Sequence, residues 1–369
     1  MSDAPRDAPA GAVGRLAWLD VAKAFAIVLV VFGHASRSVE RTDGLSWDEG
    51  LRFADQLIYS FHIPLFFVLA GYAASLVAGR GIAAQARGLF WGVAVPYLVW
   101  TVIWVGLKIA FPGSVNEPAA WGDLATALWQ PVEHMWFLQH LLIARLFWIA
   151  VDRIGAGGSV AGSTIVLALL GAASGMAILE GEPKSVAGLL GNIAFVGAGA
   201  IWVPALLKRA GDARLFALAG VAFVGWLLIA IQLGADDLGL LGFVAALMAS
   251  LVVLVAVWQL PPPSGRFGLT IAFLGEASLA IYVIHSIVIA LVRAALHRAG
   301  ALDETLLIAL GTLLGLVIPA ALYWGALALS ARTGWPVTRY AGLGAATRSY
   351  YIATPRPVPD VATVVPAQS

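Results

Sequence analysis

The sequence predicts an all-α, polytopic integral membrane protein with about ten transmembrane helices and both termini in the cytoplasm. Three observations carry that prediction. First, the 369-residue chain is 60% hydrophobic and only 12% charged, with a mean hydropathy of +0.88. Soluble domains run about 45–50% apolar and about 25% charged, so this chain has too few ionised groups to cover a surface in water. Second, its apolar residues gather into runs of about 20, the length a helix needs to cross the hydrocarbon core. The shorter alternating segments of transmembrane strands are not seen. Third, the basic residues are shared unequally between alternate connecting segments, which sets an orientation. A soluble domain, a disordered chain and an ordinary secreted enzyme are thereby excluded.

Ten runs qualify: 16–35, 56–78, 89–111, 134–151, 163–179, 186–207, 215–233, 238–260, 271–293 and 305–330. The first is too long for a cleaved signal segment and carries Asp20 and Lys23 within it. With the N-terminus inside, the inner segments hold thirteen Lys/Arg, among them Arg80, Arg87, Lys208 and Arg209, against six outside. An even number of spans returns the C-terminus to the cytoplasm, and the chain is expected to be multi-pass in the cell (inner or plasma) membrane. Residues 1–14, rich in Ala, Pro and Asp, read as a disordered tail. Residues 15–330 form the transmembrane unit and 331–369 a cytoplasmic C-terminal tail with Pro355, Pro357, Pro359 and Pro366. Pro261, Pro262 and Pro263 make a stiff connector between the eighth and ninth runs. The net charge of +1, from 22 basic and 21 acidic residues, gives no basic excess, so nucleic acid is not an expected partner. The absence of cysteine excludes disulfides, thiolate chemistry and Cys-ligated metals.

Ionisable groups inside the spans are costly and mark candidate function. They are Asp20, Lys23, His34, His62, Lys108, His134, His140, Arg145, Glu276 and His285. Lys23 and His34 are eleven residues apart. On a helix that returns them to nearly the same face, about 16 Å apart along the axis. Asp20, three residues before Lys23, is placed to pair with it. Lipid does not tolerate such a stripe, so this face must line protein or a cavity.

On the expected topology all six histidines fall in the outer half, which points to proton chemistry there. Arg145 follows His134 by eleven residues, a mirror of the first span, and this deep it needs an anion or Asp152. Ser278, Tyr282 and His285 share a face, while Glu276 points away. His134 and His140 point to opposing faces and no His-Glu-x-x-His pattern occurs, so no metal is expected. Such intramembrane groups suit either a membrane enzyme or a proton-coupled transporter of a small polar solute. Against the transporter, neither repeated halves nor a matched pair of Gly/Pro-broken helices appears.

Four segments resemble the acyltransferase-3 family of membrane acyltransferases. One opens at Arg15, passes Trp18, Asp20 and Lys23, and ends at Gly33-His34. The second runs from Phe61-His62 through Pro64, Phe66 and Phe67 to Gly71-Tyr72, with Ala70 where the family commonly has serine. The third is His134-Met135-Trp136-Phe137-Leu138, and the fourth runs from Leu274-Gly275 through Ser278-Leu279 and Tyr282 to His285. The resemblance covers roughly 15–330. Lysine rather than arginine at Lys23 makes it most similar to the fucose 4-O-acetylase-like branch. Where the family commonly has paired arginines only Arg87 stands, with Arg80 seven residues before.

The resemblance implies an O-acetyltransferase that takes acetyl-CoA as donor and a hydroxyl of a carbohydrate or cell-envelope glycan as acceptor. His34 is then the candidate general base, with Lys23 and Asp20 beside it. Arg80, Arg87 and Arg145 are candidates for holding the donor. His62, His134, Trp136, Tyr282 and His285 are candidates for the acceptor site.

Overall fold

A computed structural model describes residues 16–344 apart from 41, 43–44, 113–117, 154–159, 180–183, 210–216 and most of 217–238. The described residues contain helices and no strand. They form α1 (Ala17–Glu40), α2 (Glu49–Tyr59), α3 (His62–Ser75), α4 (Ile82–Leu89), α5 (Val95–Ala110), a single turn α6 (Asp123–Thr126), α7 (Trp136–Arg153), α8 (Val160–Leu179) and α9 (Lys184–Lys208). After these come α10 (Gly239–Gln259), α11 (Gly265–Glu276), α12 (Ser278–Arg298), α13 (Glu304–Thr333) and a last turn α14 (Val337–Tyr340). Among the described residues eight helical stretches are long and apolar enough to cross a membrane, with Ala161–Met176 a shorter apolar one. The chain is thus an all-α, multi-pass membrane protein. The expected run 215–233 lies mostly outside the described residues.

Three expected spans differ in detail. The second, expected over 56–78, is divided at Ser60 and Phe61 between the end of α2 and α3. The ninth, expected as one helix over 271–293, is broken at Ala277 (φ −76°, ψ 0°) into α11 and α12. Next to the break, Gly275 lies against the α1 backbone so closely that a Cβ would sit 1.8 Å from the Asp20 carbonyl oxygen. The third begins earlier, at Ile82, and carries a wider π turn over Phe90–Ala94. Pro96 follows that turn with no N–H to offer the helix ladder, and a local π adjustment absorbs the loss.

Helix α1 is the hub. It packs on α2, α3, α10, α11, α12 and α13, and buries Ala22, Ala24, Ala26, Gly33 and Ala35. Lipid gives no hydrophobic drive between helices, so small residues that let backbones approach supply the association. Helices α3 and α9 show this from both sides. A Cβ at Gly71 would lie 2.0 Å from the Val196 carbonyl oxygen, and one at Gly199 would lie 2.0 Å from that of Val68. Gly199→Val is therefore expected to destabilise the protein by about 1–3 kcal/mol or more through overpacking. A lowered melting temperature in detergent, with Gly188→Ala as the control in open space, checks this.

Candidate active site

Three imidazoles meet where α1, the turn before α7 and α12 converge. Ring centroids lie 4.9 Å apart for His34–His285, 5.1 Å for His134–His285 and 6.0 Å for His34–His134. They reach the cluster by different routes. His34 sits near the far end of α1. His134 lies in the 3₁₀ turn Glu133–Met135, just before α7. Its Nε2–H donates to the Tyr282 carbonyl at 3.0 Å, while the Tyr282 hydroxyl donates to the His134 carbonyl. This reciprocal pair clamps the turn onto α12, and it fixes the neutral ring's acceptor at Nδ1. His285 is fully buried. Its Nδ1–H faces the Ile281 and Tyr282 carbonyls at 3.0 and 2.7 Å, and Ser286 Oγ stands 3.1 Å from Nε2. His34 is half-buried and its ring has no hydrogen-bond partner among the described residues.

Two hollows border this cluster. A cavity of about 620 Å³ is lined by His34, His134, Trp104, Trp136, Tyr59, Tyr282 and Ser286, with Arg37, Glu133 and Arg293 on its wall. A second, of about 200 Å³, is mainly apolar, lined by Leu19, Phe66, Leu69, Leu138, Leu141 and Leu279, and by Lys23 and Gly92. Val30, Ile63, Phe137 and Tyr282 belong to both walls, so the hollows abut. Lys23 and His34 thus face adjoining spaces on one side of α1. Lys23 Nζ is 2.7 Å from the carboxylate of Asp20, which is buried against α11.

Several of the expected residues stand elsewhere. His62 is fully buried, with Nδ1 2.6 Å from the Ile58 carbonyl and its ring edge-on to Tyr59 at 4.5 Å. It lies behind the wall that Tyr59 forms, and His285 likewise backs His34 instead of lining the cavity. Arg80, just before α4, and Arg87, in its last turn, are exposed and line neither hollow. Arg145 is half-buried on α7 and makes no ion pair with the exposed Asp152, one of the two partners expected for it. Trp136 lines the cavity and packs on His140, which meets Asn192 at 3.0 Å.

The charged residues of the cavity wall were not singled out from the sequence. Arg37 binds Asp55 through two contacts of 2.9 Å and lies 3.2 Å above the Tyr59 ring. It follows His34 by three residues, so helical spacing was a usable signal. Lys108, nearly buried in α5, pairs with Glu133 at 2.7 Å. Glu133 has a φ of 50°, the left-handed region that side chains seldom adopt, and this turn sets the direction from which His134 enters. The Lys108–Glu133 pairing joins distant parts of the chain and has no local signal in the sequence. Among the described residues no group of three or more His, Cys, Asp or Glu is arranged to hold a metal ion.

No curated protein and no solved structure matches the chain. A family model described as an acyltransferase domain matches residues 16–324, which includes α1 and all three clustered histidines. The chain therefore belongs to the acyltransferase-3 family and is a membrane acyltransferase.

Proposed function

We propose that this protein is an O-acetyltransferase of the cell membrane that moves acetyl from acetyl-CoA to a hydroxyl of a carbohydrate or cell-envelope glycan. The observation that carries the reading is His34. It is the member of the histidine cluster that both opens on the larger cavity and keeps its ring nitrogens uncommitted. Acyl transfer to an alcohol needs a base within reach of the hydroxyl, and an imidazole suits that task near neutral pH. As the hydroxyl oxygen bonds to the acetyl carbonyl carbon, its proton passes to His34. The carbon–sulfur bond then breaks, and the leaving thiolate takes up that proton. His134 Nδ1, the ring's remaining acceptor, is a second position from which a hydroxyl is held.

The cavity chemistry supports an uncharged, hydroxyl-rich acceptor. Trp104, Trp136, Tyr59 and Tyr282 supply aromatic wall, with a few convergent polar groups among them. Its charges are already engaged: Arg37 with Asp55, Glu133 with Lys108, and Arg293 in contacts of its own. The apolar hollow beside it suits the thioester arm of the donor, with Lys23, held by Asp20, offering one cation there. Lysine at this position is also the feature that favours the fucose 4-O-acetylase-like branch.

The test is purified protein in lipid vesicles given acetyl-labelled CoA and a panel of neutral glycans. Label appearing as an ester on a glycan supports the reading. Solute movement without covalent change would replace it with a transporter.

A further inference from the structure

The segment that follows α13 lies beyond the stretch matched by the family model, and it closes on the apolar hollow. After Gly334 the chain turns back through α14. The Gly342 carbonyl accepts from Trp100 Nε1 at 3.1 Å, Leu343 is buried, and a Cβ at Gly344 would sit 3.4 Å from the Leu279 side chain, which lines the hollow. From this fold-back Arg339 extends its guanidinium 5.2 Å from the Trp91 ring centre, and Tyr340 packs edge-on to the same ring at 5.5 Å. Trp91 belongs to the π turn, and its neighbour Gly92 lines the hollow. Local π turns of this kind recur at functional sites. Arg339 Nε is buried with no hydrogen-bond partner among the described residues. An arginine oriented on an aromatic face, with a donor left unmatched, is built to receive an anion.

We infer that Arg339, held on Trp91, binds the phosphate groups of the acyl-CoA donor at the end of the apolar hollow marked by Lys23 and Leu279. This rests on the donor proposed above. It gives the fold-back a part in the site: the hollow takes the thin pantetheine arm of the donor, and the cation held beside it on Trp91 takes the anionic end. The exposed Arg80 and Arg87 line neither hollow, whereas Arg339 is tied through Trp91 to a residue that does.

The test is calorimetric titration of CoA, and separately of pantetheine, which lacks the phosphates, into the full-length protein in lipid nanodiscs. Acetyl transfer is followed in parallel. Arg339→Gln is expected to weaken CoA binding about 10- to 100-fold, the worth of a hydrogen bond to a charged group, and to leave pantetheine binding unchanged. Arg339→Lys is expected to recover part of the loss, because it keeps the charge without the fork. Equal weakening of both ligands would mean that Arg339 merely holds the fold-back in place. Unchanged CoA affinity, or no CoA binding by the unmodified protein, would also overturn the inference. If CoA binding depends on Arg339 and yet no acetyl reaches any glycan, the inference stands and the proposed acetyl transfer falls. Normal transfer with Arg339-independent CoA binding would leave the acetyl transfer standing and overturn the role of Arg339.

Discussion

Replacing His34 by alanine is expected to slow acetyl transfer by about 10²–10⁴-fold, the usual contribution of a positioned general base, without unfolding the protein. The ring borders open space and makes no hydrogen bond among the described residues, so its removal strands no buried partner. It is also wrapped only in part, touching His134 and His285 edge-on. Melting temperature should therefore change little while the initial rate collapses. His34→Gln, which keeps polarity and bulk but cannot take up a proton, should be as slow as alanine. Added imidazole should restore part of the alanine variant's rate, because the cavity of about 620 Å³ admits it. His285→Ala should behave differently. That residue is fully buried and bonded to the α12 backbone, so its loss should lower stability and rate together, with no rescue by imidazole.

Removing Glu133 is expected to have the largest effect on stability. Lys108 is only 7% exposed, while its partner carboxylate is 38% exposed. Glu133→Ala leaves a nearly buried ammonium without its counter-ion, and breaking such a pair costs about 3–5 kcal/mol. Water at the cavity wall places the expected value near the lower end. Lys108→Met should cost much less, since the stranded carboxylate borders the cavity. The double variant should be more stable than Glu133→Ala alone. Melting curves of the four proteins form a double-substitution cycle that measures the coupling. Rate should fall with Glu133→Ala as well, because Glu133 directly precedes His134 and the pair fixes the turn. Additive losses, or a Lys108→Met variant worse than Glu133→Ala, would refute this asymmetry.

The membrane architecture was legible because hydrocarbon imposes a strict rule. Every spanning backbone group must find its partner within its own helix, so each crossing leaves a continuous apolar run. The stripe on α1 was legible for a related reason: an eleven-residue interval on a regular helix fixes a shared face, and Lys23 and His34 do border adjoining hollows. What periodicity does not specify is which helices become neighbours. His34, His134 and His285 come from three distant segments, and only packing through small residues such as Gly275 brings them within 6.0 Å of one another. The same blindness put His62 on the acceptor side, whereas its Nδ1 turns back to the Ile58 carbonyl of α2. The meeting of Arg37 with Asp55 depends on how α2 packs back on α1, which helical spacing does not specify. The break at Ala277 had no proline to announce it, and the fold-back at 335–344 is too short and too mixed in composition to be distinguished from a tail.

Whether one face of α1 lines a polar passage can be probed directly, because the chain has no cysteine of its own. Single cysteines at Lys23, His34 and the lipid-facing Phe25, which is 41% exposed on α1, can be challenged in sealed vesicles with a charged, membrane-impermeant thiol reagent. Modification of His34→Cys is expected from one side of the membrane and of Lys23→Cys from the other, with Phe25→Cys inert from both. If neither Lys23→Cys nor His34→Cys reacts from either side, that face of α1 borders no accessible space, and the placing of donor and acceptor in the hollows beside Lys23 and His34 is wrong.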